Sequence, residues 1–215
     1  SILFLLINAQ AFAQWQPDLR LTNNPSNSET SHNNAWCIAS SGDSVHVLWH
    51  DNRDGNYEIY YKPSTDGGSS WGADTRLTSN PFYSGFSSVS VSGQVVHVVW
   101  LDQRDGNTEI YYKRSTDGGS SWGADTRLTN NPLLSEYPSV SVSGQVAHVV
   151  WVDSRDGNTE IYYKRSSDGG SSWGADTRLT NNSSLSADPS VSVSGQVIHI
   201  VFYDSRDGNF EIYYK

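Results

Sequence analysis

The stretch Asp102–Trp122, DQRDGNTEIYYKRSTDGGSSW, decides how the chain is read. A polar bend, DQRDGN, leads into EIYYKR, an aromatic run of strand length, and then into the glycine-rich turn STDGGSSW. The stretch recurs almost unchanged at 153–173, in a close variant at 51–71, and as a partial copy at 204–215. Trp49, Trp100 and Trp151 stand 51 residues apart, and Phe202 takes the fourth place. So regular a period marks a repeat architecture, and it must be explained before any single motif.

Outward from that stretch, each repeat carries four strand signals. In the third repeat they are expected at 139–143, 146–153, 160–165 and 173–180, separated by Gly-Gln, SRDGN and SSDGGSS. The second of them, VAHVVWVD, is apolar on both faces, which places it between two packed layers. Four-stranded antiparallel units, repeated and buried on both faces, describe the blades of a β-propeller. The fold class is therefore all-β, a propeller built on a 51-residue repeat. Blades are expected at 30–80, 81–131 and 132–182, with a partial blade at 183–215. Residues 15–25, WQPDLRLTNNP, match the end of a repeat, so 15–22 reads as a strand that completes another blade. Pairing it with 211–215 gives a closed ring of four blades; a chain that is a fragment gives more. Residues 26–35, rich in Ser, Asn and Thr, read as a longer surface loop. The second and third repeats differ at nine of 51 positions, the signature of recent duplication.

Composition narrows the function classes. The 215 residues carry a formal net charge of -9, which argues against nucleic acid, because phosphate binding needs clustered Lys and Arg. Eight Trp and twelve Tyr, spaced by Gly, Ser, Asn and Thr, belong to strands and turns. Cys37 is the one cysteine, so no intrachain disulfide forms, and a small buried strand residue is expected there. Residues 1–14, SILFLLINAQAFAQ, resemble the remains of a secretory signal peptide: an apolar core ending in Ala11-Phe12-Ala13. The run is too short to span a bilayer, so a secreted or cell-surface protein is expected. The opening Ser1 and the absence of Met point to a fragment. No Cys/His cluster has metal spacing and no glycine-rich phosphate loop precedes a helix, so no cofactor is expected. A monomer is expected.

The turn that closes each third strand repeats a fixed spacing: Ser64, Asp66, Gly68 and Trp71; Ser115, Asp117, Gly119 and Trp122; Ser166, Asp168, Gly170 and Trp173. An Asp in a tight turn accepts N–H bonds from the residues after it, Gly permits positive φ, and Trp anchors the turn. This motif resembles the Asp-box, or bacterial neuraminidase repeat, of the sialidase superfamily, and the resemblance covers 15–215. It implies that these twelve residues are structural and lie away from any ligand site. It also implies that substrate would meet the opposite face, where D-x-R-D-G-N and the linker T-N-N-P lie.

On that face the ligand-binding candidates are Asp51 and Arg53, Asp102 and Arg104, Asp153 and Arg155, and Asp204 and Arg206. Three readings compete for them. Asp-Gly-Asn makes a hairpin bend in which Arg pairs with a neighbouring Asp. Alternatively, Arg forks with aromatic neighbours bind a glycan or another anionic ligand. In the third, calcium is held by Asp102, Asp105, Asn107 and Glu109. Sialidases clamp the substrate carboxylate with three Arg and use a Tyr nucleophile helped by a Glu, with an Asp as acid/base. The F/Y-R-I-P motif that usually carries the first Arg is absent, and every Arg sits in a repeated position. No catalytic residue is therefore assigned. The non-repeated residues His32, Tyr83, Glu136, Tyr137 and Asp188 form no recognisable set in sequence, and the repeated His46, His97, His148 and His199 read as strand residues of the core. Two functions remain. One is a non-catalytic glycan-binding or scaffold module; the other is an exo-sialidase-type hydrolase whose catalytic residues lie outside this chain.

Overall fold

A computed structural model describes residues 17–30 and 37–215; the signal-like segment 1–14, Trp15 and His32 lie outside them. The described chain is all-β, with four antiparallel sheets following one another along the sequence. The first holds β1 (Ser28–Glu29), β2 (Ile38–Ser41), β3 (Ser44–Asp51), β4 (Glu58–Ser64) and β5 (Thr75–Arg76). The second holds β6 (Ser84–Ser92), β7 (Val95–Asp102), β8 (Glu109–Ser115) and β9 (Thr126–Arg127). The third repeats this as β10 (Ser135–Ser143), β11 (Val146–Asp153), β12 (Glu160–Ser166) and β13 (Thr177–Arg178). The fourth holds β14 (Ser186–Ser194), β15 (Val197–Asp204) and β16 (Glu211–Tyr214).

The two-sided apolar second strand does what its composition demands. Val96 to Asp102 are all buried, and the core lies between neighbouring blades rather than inside one. Leu48, Ile59 and Tyr61 of the first blade pack on Val89, Val98 and Trp100 of the second. Val99, Ile110 and Tyr112 then pack on Val140, Val149 and Trp151 of the third. Each blade buries its apolar face only against the next, which is why the repeat needs its neighbours.

The innermost strands are stitched directly across blades. Val140 N–H donates to Ser88 Oγ and Val142 N–H to Ser90 Oγ, both at 3.2 Å. Val191 and Val193 make the same bonds to Ser139 and Ser141. The alternating SVSVS pattern thus turns Val into one layer and gives the inward backbone N–H groups a hydroxyl acceptor. Between these strands runs an axial channel of about 210 Å³, lined by Ala39, Val89, Val140 and Val191 of the four blades.

Several expectations need correction. The fourth strand, expected over eight residues at 173–180, is two residues long, because only Tyr162 and Tyr163 pair with it. Among the described residues, 17–22 form no strand and β16 pairs with β15 alone, so the ring-closing pairing with 211–215, one of the two alternatives, is not seen there. A lone segment without its ladder has no strand partner. It lies instead against the first blade, where Lys62 Nζ donates to the Leu21 carbonyl at 2.6 Å, as Lys113 does to Leu77 one blade on. The loop expected at 26–35 contains β1, whose Ser28 and Glu29 pair with Asp51 and His50 as Ser84 and Gly85 pair with Asp102 and Leu101. Cys37 is half-buried and precedes β2, with its thiol 3.9 Å from the Ser87 carbonyl.

Candidate functional site

The bend after each second strand begins with a fully buried carboxylate. Asp102 accepts Trp100 Nε1 at 2.8 Å, Ser84 Oγ at 3.1 Å and, through both oxygens, Arg104 Nε at 2.9 Å and Nη2 at 2.6 Å. Burial raises the Asp102 pKa, but the donors of Arg104 and Trp100 outweigh it, so the carboxyl is held below its ordinary range. Arg104 is fully used: its Nη1 reaches Asp125 at 2.7 Å, and its guanidinium lies 4.4 Å above the Tyr111 ring. Asp153–Arg155–Asp176 repeats this geometry, and Asp51–Arg53–Asp74 nearly does. In the fourth blade Arg206 pairs with Asp204 at 2.5 Å, and Phe202 offers no indole N–H.

The rest of the motif is consumed in the same way. Asn107 Nδ2 donates to Glu109 and to the carbonyls of Asn131 and Leu133, tying the bend to the blade-to-blade linker. Glu109, fully buried, also accepts Arg127 and Thr129; Asp105 accepts the Tyr111 hydroxyl and faces Arg127 at 3.3 Å. The three carboxylates of the calcium reading are thus engaged by protein donors, and Asn107 spends its amide N–H groups on Glu109 and the linker. Among the described residues no group of three His, Cys, Asp or Glu converges on a metal position. The hairpin reading describes this geometry best, with one difference: the pair is anchored on a buried carboxylate rather than exposed.

At the opposite end lie the turns that resemble the Asp-box. Ser115 Oγ donates to Asp117 Oδ1 at 2.7 Å and accepts Gly119 N–H at 2.8 Å; Ser121 N–H returns to Asp117 at 2.8 Å. These donors hold the Asp117 pKa down to about 2, Ser121 and Ser115 contributing most. The tryptophans reach further than a local anchor: Trp122 meets Tyr61 of the preceding blade edge-on at 5.0 Å, and Trp173 meets Tyr112 at 4.9 Å. This turn therefore joins blades, in addition to closing its own hairpin.

What differs between blades gathers on the bend-and-linker face. Phe86, Tyr137 and Asp188 occupy equivalent bulges at the starts of β6, β10 and β14, each with positive φ (51°, 55° and 48°). Left-handed backbone at non-glycine residues is costly and concentrates where function needs it. Each of the three stands three residues before a channel-lining valine, Val89, Val140 or Val191. Phe86 meets Tyr137 edge-on at 5.1 Å; His50, Tyr57 and Tyr83 extend the cluster, with Tyr57–Tyr83 at 5.7 Å and His50–Tyr83 at 6.3 Å. Tyr57 Oη donates to Glu29 at 3.1 Å. Glu136 and Asp188 are half-buried, with no hydrogen-bond or ion-pair partner among the described residues, and burial raises the pKa of both. Tyr83 is pushed up to about 12 by burial and then by Tyr57, Glu29 and Tyr137. Tyr137 is raised by burial, then by Glu136 and Asp188.

Four of the five non-repeated residues, Tyr83, Glu136, Tyr137 and Asp188, are thus brought to one mouth; His32 lies outside the described residues. Sequence reasoning missed His50, Tyr57 and Phe86, as well as Tyr203, which meets Phe210 edge-on at 5.1 Å in the fourth-blade place of the His50–Tyr57 pair. The signal was available: aligned repeats read His, Leu, Val, Tyr at position 50 and its equivalents, and Phe, Tyr, Asp at position 86 and its equivalents. The repeated His97 is buried in β7, with Nδ1 2.9 Å from Tyr112 Oη.

No family model matches the sequence, and no curated protein does. Solved structures do match by shape. The chain resembles the Hadza microbial sialidase Hz136 with a TM-score of 0.61 at 15% identity, over 88% of this chain and 43% of that one. It resembles the Trypanosoma rangeli sialidase at 0.56 and 16%, over 82% and 37%. A polysaccharide lyase, the PL25 ulvan lyase, follows at 0.57 and 10%, over 83% and 47%. The chain spans less than half the length of each of these structures. The fold is a sialidase-like β-propeller.

Proposed function

We propose that this chain is a secreted, non-catalytic carbohydrate-binding propeller whose ligand site is the mouth ringed by Tyr57, Tyr83, Phe86 and Tyr137. One observation carries the reading. The side chains that break the repeat meet around left-handed bulges at the starts of the inner strands, although they come from different blades. A scaffold alone gives no reason for blade-specific aromatics to meet there. Half-buried rings with polar edges are suited to stacking on sugar faces while carboxyls and hydroxyls orient the ring. In this reading Arg53, Arg104, Arg155 and Arg206 frame the mouth and do not touch ligand.

The test is a glycan array probed with the folded chain. Retention on at least one glycan class is expected, lost in Tyr83→Ala and Tyr137→Ala with thermal unfolding little changed. A folded protein that captures no glycan overturns the reading.

One observation favours the exo-sialidase alternative: Tyr137 lies beside two unpartnered carboxyls, Glu136 and Asp188, so a phenol and two acids stand together. It lacks a clamp, because the four bend arginines of this face are already paired. Release of sialic acid from a chromogenic sialoside would establish it.

A further inference from the structure

The mouth combines three features that together select a charge. First, the bend and outer-strand arginines of the four blades are all spent, while Arg20, exposed and bonded only to the Thr22 carbonyl, lies in the segment before the first blade. Arg53, Arg104 and Arg155 each hold two carboxylates, Arg206 holds Asp204, and Arg76, Arg127 and Arg178 hold the buried Glu58, Glu109 and Glu160. Second, Glu136 and Asp188 stand half-buried without a donor, and Glu29 adds a carboxylate beside His50 and Tyr57. Third, Tyr137 lies in the field of Glu136 and Asp188, Tyr57 donates to Glu29, and both tyrosines belong to one ring cluster with Tyr83 and Phe86. An acidic sugar would meet carboxylates and find the blades' own guanidiniums already paired. A protonated amine would find carboxylates that lack partners and aromatic faces that attract cations. The same chain already uses that chemistry internally, with a guanidinium over a tyrosine ring in every blade, at 4.2–4.5 Å.

We propose that the mouth binds a positively charged group, and that its carbohydrate is an amine-bearing glycan of the glucosamine-polymer class rather than an acidic sugar. This deepens the carbohydrate reading and rests on it. Burial raises the pKa of Glu136 and Asp188. Affinity should rise as these carboxyls ionise and fall again as the amine loses its proton.

The experiment is calorimetric titration of the full chain with three probes: a glucosamine tetramer, its N-acetylated counterpart and a sialylated trisaccharide. The free-amine tetramer is expected to bind at least about ten-fold tighter than the N-acetylated one, the scale of a desolvated cation–aromatic contact plus one ion pair. Added salt should erode that preference, and Glu136→Gln with Asp188→Asn should abolish the difference between the two tetramers. The salt series on the unaltered protein carries the test if the double variant does not fold. Equal binding of the two tetramers, or preference for the sialylated sugar, overturns the charge inference and leaves the carbohydrate reading standing. Binding of none of the three by folded protein overturns the charge inference, and the glycan array then decides the carbohydrate reading.

Discussion

Asp102 shows how much one residue holds. It gathers an indole, a hydroxyl and a guanidinium with no access to water, and Arg104 passes the link to Asp125 on the blade's outer edge. Replacing one partner of such a pair leaves the other without its counter-charge. Asp102→Asn is therefore expected to cost roughly 3 kcal/mol in urea unfolding, the low end for a buried pair because Arg104 is partly exposed. Gly119 gives a second residue-scale expectation. It has φ +91°, and a Cβ there would run into the hydroxyl of Tyr61 on the preceding blade. Gly119→Ala should destabilise by about 1–3 kcal/mol, read in the same assay, whereas Gly106→Ala, with open space around it, should pay only for its φ. Asp188→Gly should have the opposite sign on stability. Relief of a left-handed aspartate (φ 48°) with an unpartnered carboxyl raises the unfolding midpoint by the equivalent of about 1 kcal/mol, while glycan retention falls.

At the scale of the element, the second strand and the inner strand carry the fold. His97 in β7 is buried, and burial, then the charge of Arg114, lowers its pKa to about 4. A histidine with a lowered folded pKa is neutral in both states above its unfolded value near 6.5. As pH falls below 6.5 the unfolded chain takes up the proton first, so stability drops until pH reaches about 4 and then levels. His46 and His148, also lowered by burial, add to the same window. Denaturant midpoints measured across this range should fall with pH, and His97→Gln should flatten the slope. In the inner strands, Ser139 accepts the N–H of the buried Val191. Ser139→Ala leaves that donor unmet and should cost about 1–2 kcal/mol, whereas Ser143→Ala, at the outer end of β10, should be near neutral.

For the molecule as a whole, the repeat and its exceptions do different jobs. The repeated residues build four like sheets and spend their charges on one another. The exceptions, spread over the sequence from Glu29 to Tyr203, converge because every inner strand begins at the same end of one axis. The strand periodicity, the two-sided burial of VAHVVWVD and the tight Asp turn were legible in sequence, because they depend on neighbours within a few residues or on a pattern copied four times. Even the outcome for the arginines was among the readings the sequence allowed: DGN is a local bend, and Arg lies two residues from its Asp.

Four-stranded units of this spacing could only be blades, and the sequence by itself determined that. Which side chains share a site was decided by the tertiary structure alone. Tyr83, Tyr137 and Asp188 are separated by about one repeat each, and no rule of spacing brings them together until the blades have packed around a common channel. The same packing settled where the tryptophans of the tight turns rest, since Trp122 and Trp173 leave their own blades to meet Tyr61 and Tyr112. Local pattern determines a blade because hydrogen-bond ladders and alternation are short-ranged. A mouth is a long-range object, made when buried apolar faces force the blades side by side.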